Sequence, residues 1–208
     1  MNKKSSEMRI LTNEGERLYL TAEERARFLA SSKQEKRENR LFCAALHFTG
    51  CRPSELLELT ASSISIDEQA IVVRTLKKRK LDKNGNIKAI KYRTIPVPEQ
   101  LIDELDLVFD LRKKALKTKS KQACLWPMSR PTAWRMIKRV MSRAEINGKQ
   151  ATAKGLRHGF GIAMLSGAKP APLNIVRDLL GHADTSTTEI YLQAIGQEKR
   201  KMVMDAWE

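Results

Sequence analysis

Cysteine, histidine and acidic residues are all in short supply in this chain, and each shortage excludes a class of chemistry. The three cysteines, Cys43, Cys51 and Cys124, are odd in number, widely spaced and form no CxxC pair, so neither a disulfide framework nor a thiolate zinc site is expected. The three histidines, His47, His158 and His182, are too scattered to suggest a metal cluster. No carboxylate cluster suits Mg²⁺. Whatever the chain does is therefore predicted to need no metal and no cofactor. There is no long apolar run and no lipidation motif, which argues against a membrane partner. The opening MNKKSSEM has no apolar core of the signal-peptide kind, so a soluble, cytoplasmic protein is expected. No internal repeat or low-complexity block is visible.

What is present is a core and a large positive charge. The 208 residues suit one domain with short extensions, and a hydrophobic fraction of 41% is enough to bury a real interior. Lys and Arg number 39 against 24 Asp and Glu, a formal net charge of +15. Self-repulsion on that scale opposes compaction, so it points to a polyanionic partner, and double-stranded DNA is the expected one.

Residues 1–20 are polar and basic and read as an arm. Thr21 with Glu24 makes a capping box that starts a helix. A second helix is predicted from Arg37 to Thr49, stopped by Gly50, and Pro53 suits the first position of a short third helix. Ile64, Ile66 and Ala70 to Val73 read as strands, with a further strand from Ile87 to Val97 after the Asn84-Gly85 turn. This hairpin is basic: between Leu76 and Arg93, Lys77, Lys78, Arg79, Lys80, Lys83, Lys88, Lys91 and Arg93 face one acid, Asp82. Helical spacing returns with Leu101, Leu105, Val108 and Leu111, then with Trp134, Ile137, Met141 and Ala144. A helix after Lys154 and one from Leu173 to Leu180 follow, and Ser186 with Glu189 is read as a second capping box. Gln197 to Trp207 can form an amphipathic tail helix with Met202, Val203, Ala206 and Trp207 on one side. The fold class is mainly α with a small antiparallel β-sheet.

Four segments carry the chemistry. They are Thr49-Gly50-Cys51-Arg52-Pro53-Ser54-Glu55, Gly155-Leu156-Arg157-His158-Gly159-Phe160, Leu179-Leu180-Gly181-His182, and Ser186-Thr187-Thr188-Glu189-Ile190-Tyr191. In order and spacing they resemble the signature of the tyrosine recombinases, the phage integrase family: TGxRxxE, LRHxF, LLGH and STTxxY, with Tyr191 nine residues after His182. The resemblance covers roughly Thr21 to Tyr191. It implies a catalytic domain over 21–195, a tail at 196–208, and a DNA recombinase that integrates, inverts or resolves through a 3′-phosphotyrosine link, with Tyr191 as nucleophile. It also implies a homo-oligomer, a tetramer, on DNA, and a bacterial protein at the nucleoid when bound. Most members carry a core-binding domain before the catalytic one, so this chain resembles the catalytic domain alone.

Elementary chemistry fits these roles. A phosphodiester gains equatorial charge in its pentacoordinate transition state, and the guanidinium forks of Arg52 and Arg157 can clamp those oxygens. A free tyrosine titrates near 10, so nearby cations are expected to pull Tyr191 down toward phenolate. His182 can bond the phosphate or move a proton. The resemblance places the acid that protonates the leaving 5′-oxygen on the basic hairpin. The register of Val72 to Arg79 gives that role to Lys78, with Lys77 as the fallback. Lys77, Arg79, Lys80, Lys91 and Arg93 are predicted DNA contacts.

The second box departs from the family's HxxR, because Lys154 stands where the histidine is usual. Type IB topoisomerases, which share the chemistry, place a lysine there. Lys154 therefore joins the expected catalytic set, and it also favours a rival reading, an inactive relative that binds DNA as a regulator. Taken singly, Arg52 and Glu55 read as an i,i+3 salt bridge, His182 as a helix C-terminal cation and Tyr191 as a packing residue. Helix, glycine turn and helix over Leu173 to Ala194 would also suit a helix-turn-helix repressor.

Overall fold

The computed structural model describes residues 9–76, 89–115, 123–193, 203–204 and 207. Helices dominate, and local signals set many of their ends. Helix α1 (Ala22–Ser32) begins at the Thr21 capping box, where the Thr21 side chain accepts from Glu24 N–H and Glu24 answers to the Thr21 N–H. Helix α2 (Arg37–Thr49) ends on Gly50, which is left-handed at φ 61°. Helix α3 is Pro53–Leu56. Strands β1 (Ile64–Ser65), β2 (Ala70–Thr75) and β3 (Lys91–Pro96) form an antiparallel sheet in the order β1-β2-β3, in which Val73 pairs with Arg93 and Thr75 with Lys91. Helices α4 (Glu99–Phe109), α5 (Leu111–Ala115), α6 (Arg130–Arg143), α7 (Ala153–Ser166), α8 (Leu173–Leu180) and α9 (Ser186–Glu189) follow, and a 3-10 turn, Ile190–Gln193, carries Tyr191.

Helix α2 is the central element, packed against α1, α4 and α7. Its Leu41, Phe42, Ala45 and Leu46 are shut off from solvent with Phe28, Ile102, Leu105 and Trp126. Trp126 meets Phe42 and Phe109 edge-on, and its indole N–H donates to the Glu38 carbonyl at 2.7 Å, so its one polar atom is satisfied. A second, smaller apolar cluster joins Ile10, Tyr19, Phe160, Ile162, Leu165, Val176 and Leu180 around Tyr191.

Three expectations change. Residues 9–20 are packed rather than free: Ile10, Tyr19 and Leu20 are buried, and Leu20 N–H donates to Gly155 O. Trp134 is 60% exposed, because Ala133, Met136, Ile137, Val140 and Met141 form the 0, 3, 4, 7, 8 stripe that faces the core. Ser186 does not cap α9; the helix begins at Ser186 itself, whose N–H donates to the Asp184 carboxylate. Lys77, Lys78, Arg79 and Lys80 lie outside the described residues, as does most of the tail helix expected after residue 196. Among the described residues no helix is long and apolar enough to cross a membrane.

Candidate active site

The site is built where α2, α7 and α8 end or begin. Helix α8 closes on Gly181 at φ 63°, with His182 N–H returning to Arg177 O and Gly181 N–H to Asp178 O. That pairing leaves the Leu179 and Leu180 carbonyls without helical donors. Two buried arginines take them. Arg157 donates from Nη2 to Leu180 O at 2.6 Å and from Nη1 to Gly50 O at 2.8 Å, so it ties the C-terminus of α8 to that of α2. Arg93 donates from Nε to Leu179 O at 2.8 Å. Both cations sit at the negative end of the α8 dipole, where they are favoured.

Arg52 opens α3 and is half-exposed. Its Nη1 meets Glu55 Oε1 at 3.0 Å, and its backbone N–H donates to Glu55 Oε2 at 3.0 Å. Glu55 is fully buried, and its second partner is Arg93, at 2.7 Å from Oε2. Burial alone would raise the Glu55 pKa, but the bonds and charge of Arg93 and Arg52 outweigh it and hold the carboxyl below its ordinary value. The expected i,i+3 pair is therefore real, and it belongs to a larger network.

Tyr191 lies 2% exposed against Gly161; a methyl group there would fall 2.5 Å from Tyr191 Cε2. Its hydroxyl is 3.1 Å from His158 Nδ1, and the His182 ring stacks at 6.2 Å between centroids. Burial pushes the phenol up to about 12, against the pull of Arg157 and Arg52. The expectation that cations lower it is reversed in this state, because desolvation is the larger effect. Burial, with Arg157 and Arg52 beside it, drives His182 down to about 3; burial, with Lys154 and Arg157, does the same to His158. Both imidazoles are neutral at pH 7. His182 Nδ1 pairs with Thr188 Oγ1 at 2.9 Å, which leaves Nε2 buried and unpartnered; His158 Nε2 is likewise unpartnered. Burial also takes Arg157 down to about 10, still protonated at neutral pH.

Arg52, Arg157, His182 and Tyr191 thus come together from four segments, with Lys154 exposed one turn before His158. Lys91 is exposed at the start of β3, whereas Arg93 points inward and is spent on protein partners. The sequence named Glu55 only as the i,i+3 partner of Arg52, and His158 and Thr188 without any role. The i,i+3 spacing was the signal for Glu55, and presence in the motif the only one for the other two. Among the described residues no three potential metal ligands are grouped.

The chain is similar to known proteins in sequence and in fold. The phage integrase family matches residues 18–198. The chain is 31% identical over 189 residues to a protein named tyrosine recombinase XerA of Pyrococcus furiosus, and 29% identical over 185 residues to its namesake in Thermococcus kodakarensis; each match covers 88% of this chain and 60% of the relative. This chain therefore spans about 60% of the curated relatives' length. A crystal structure of XerA recombinase superposes with a TM-score of 0.71 at 25% identity, covering 90% of this chain and 64% of that one. The catalytic domain of bacteriophage HP1 integrase has the same fold, at a TM-score of 0.57 and 20% identity over 89% of this chain and 93% of that one. With the signature boxes gathered at one site and 181 positions (18–198) matched, the chain belongs to the phage integrase family.

Proposed function

We propose that this domain cuts and rejoins DNA through Tyr191 as a site-specific recombinase. The observation that carries the reading is the meeting of two guanidinium groups, a neutral imidazole with a free buried nitrogen, and the tyrosine, brought from distant parts of the chain to one place. Arg52, half-exposed and aimed by Glu55, and Arg157 hold the scissile phosphate, and His182 Nε2 bonds one of its oxygens. The Tyr191 hydroxyl gives up its proton, for which neutral His158 Nδ1 at 3.1 Å is an acceptor, as its oxygen attacks phosphorus; the bond to the 5′-oxygen breaks, and that oxygen leaves with a proton. The 3′-phosphotyrosine stores the bond energy, so the reverse attack by a 5′-hydroxyl reseals the strand without ATP. Lys78 is the proposed acid for the leaving oxygen, and Lys154 donates to the phosphate in place of the usual histidine. Lys77, Arg79, Lys80 and Lys91 contact the DNA backbone, which is the proposed partner. The protein works as a tetramer on two duplexes, in the bacterial cytoplasm. A solved relative, XerH site-specific recombinase bound to its difH substrate, has this fold at a TM-score of 0.66 and 19% identity.

One observation favours a second reading. Tyr191 is buried with its phenol pushed up to about 12, a state in which little nucleophilic phenolate forms at neutral pH. A nicked suicide duplex separates the two. If the site is an enzyme, the parent accumulates as a covalent adduct that survives denaturing electrophoresis, and Tyr191→Phe binds DNA but forms none. An adduct from Tyr191→Phe refutes the assignment of the nucleophile, and exposed Tyr92 is then the next candidate. Tight binding to a selected site with no adduct from the parent supports the regulator.

A further inference from the structure

A guanidinium has five N–H donors, and all five of Arg93's are spent inside the protein. Nε donates to Leu179 O at 2.8 Å. Nη1 donates to Thr75 Oγ1 at 2.9 Å and to Glu55 Oε1 at 3.4 Å. Nη2 donates to Glu55 Oε2 at 2.7 Å and to Cys51 Sγ at 3.4 Å. The side chain is 7% exposed, so no donor remains for a phosphate. Room for it comes from Gly181, where a Cβ would stand 2.9 Å from Nη1 and 3.1 Å from Cζ. Gly181 thus serves twice: its positive φ ends α8, and its missing side chain admits Arg93.

The partners explain what the residue does. Glu55 holds both the backbone and the guanidinium of Arg52. Leu179 is next to Leu180, whose carbonyl holds Arg157, and three residues before His182. Thr75 ends β2, where the chain enters the segment carrying Lys77 and Lys78. One buried side chain therefore touches the supports of the first box, the third box and the basic hairpin. An ordinary core salt bridge would need only Glu55.

We propose that Arg93 is a positioning residue that holds Arg52, through Glu55, in register with the α8 terminus and β2, and that it makes no contact with DNA. The inference rests on the recombinase reading of the site. In the absence of Arg93, Glu55 is still buried but can turn, and Arg52 loses its fixed direction. A misplacement of about 1 Å at a phosphate clamp costs roughly 100-fold in rate. Binding, carried by surface cations, is left intact.

The test uses a duplex that the parent selects from a randomised pool, in intact form for affinity and nicked for single-turnover adduct formation. Arg93→Lys keeps a charge beside Glu55 but cannot make five bonds. Its affinity and salt dependence are expected to match the parent's, while its adduct rate at saturating DNA falls about 100-fold. Were Arg93 a phosphate contact, Arg93→Gln, which removes the charge, would instead lower the magnitude of the slope of log K against log[salt] by about 0.9 and overturn the proposal. In an Arg52→Ala background, Arg93→Lys is expected to slow the residual rate less than about 3-fold, because both act through one group. Full additivity overturns the coupling. The paired variant Arg93→Gln with Glu55→Gln removes both charges and keeps the test open if Arg93→Lys unfolds. It is expected to melt cooperatively, bind like the parent and cleave slowly. A rate loss that only follows the unfolded fraction, or a parental rate in a folded variant, assigns Arg93 to stability alone. A parent that forms no adduct overturns the reading of the site and this proposal with it; a parent that does, beside an unaffected Arg93→Lys, overturns only the role of Arg93.

Discussion

Mild acid is expected to unfold this domain through its three histidines. His158 and His182 titrate at about 3 and His47 at about 4, against an ordinary value of 6.5. Burial is the leading cause for each, and the neighbouring cations Lys154 and Arg157, Arg157 and Arg52, and Arg25 add to it. A depressed folded-state value means that the unfolded chain binds protons first. The stability from neutral imidazoles is therefore complete above pH 6.5 and falls as pH drops toward the folded values. Between about pH 7 and about pH 5 each histidine gives up about 2 kcal/mol as an upper bound, so the three together give up to about 6 kcal/mol. That is a large part of a typical net stability of about 5–15 kcal/mol. The lowered carboxylates Glu24, Glu35 and Glu55 add their loss only below this window, since their ordinary value is 4.5. Urea unfolding at a series of pH values reads the slope, and two-dimensional NMR of the imidazole protons reads each titration. His182→Asn keeps a bonding partner for Thr188 and carries no proton, so it should flatten the slope by about one proton in three. A stability change under about 1 kcal/mol over this window would mean that the imidazoles stay open to solvent, and the burial argument would fail.

Gly161→Ala drives a methyl group into the Tyr191 ring and is expected to cost about 1–3 kcal/mol. The urea midpoint should fall and the adduct yield with it, while DNA affinity holds; an unchanged midpoint would show that the ring does not sit there. Thr188→Val leaves His182 Nδ1 without its partner and is expected to cost about 1–3 kcal/mol, and Thr188→Ser should recover most of it. Equal melting of the two variants would assign no weight to that bond. Lys154→His should retain strand cleavage better than Lys154→Ala, since lysine and histidine can both donate to a phosphate oxygen. Parental cleavage by Lys154→Ala would make the position a surface lysine and nothing more.

The sequence by itself determined the elements and the boxes, because their signals are local. The Thr21 capping box, the run Arg37 to Thr49 closed by Gly50, and the Gly181 stop each lie within a few residues of what they specify. Arg52, Arg157, His182 and Tyr191 were legible for the same reason: each sits in a short motif of fixed spacing. What only the tertiary structure decided depends on pairs far apart in the chain. Arg93 looked like one more cation on a basic hairpin until Glu55, 38 positions away, and Leu179, 86 away, were seen to take its donors. Arg157 reads as a phosphate ligand in its motif, yet it also joins two helix ends across 107 positions. The exposure of Trp134 followed from which face of α6 met the core, a choice that helical spacing alone leaves open. The state of Tyr191 was the least legible: its motif suggests its proposed role, but its pKa is set by how deeply Gly161 and the second apolar cluster bury the ring. Desolvation has no signature in a linear sequence, because it depends on what the rest of the chain places around a side chain.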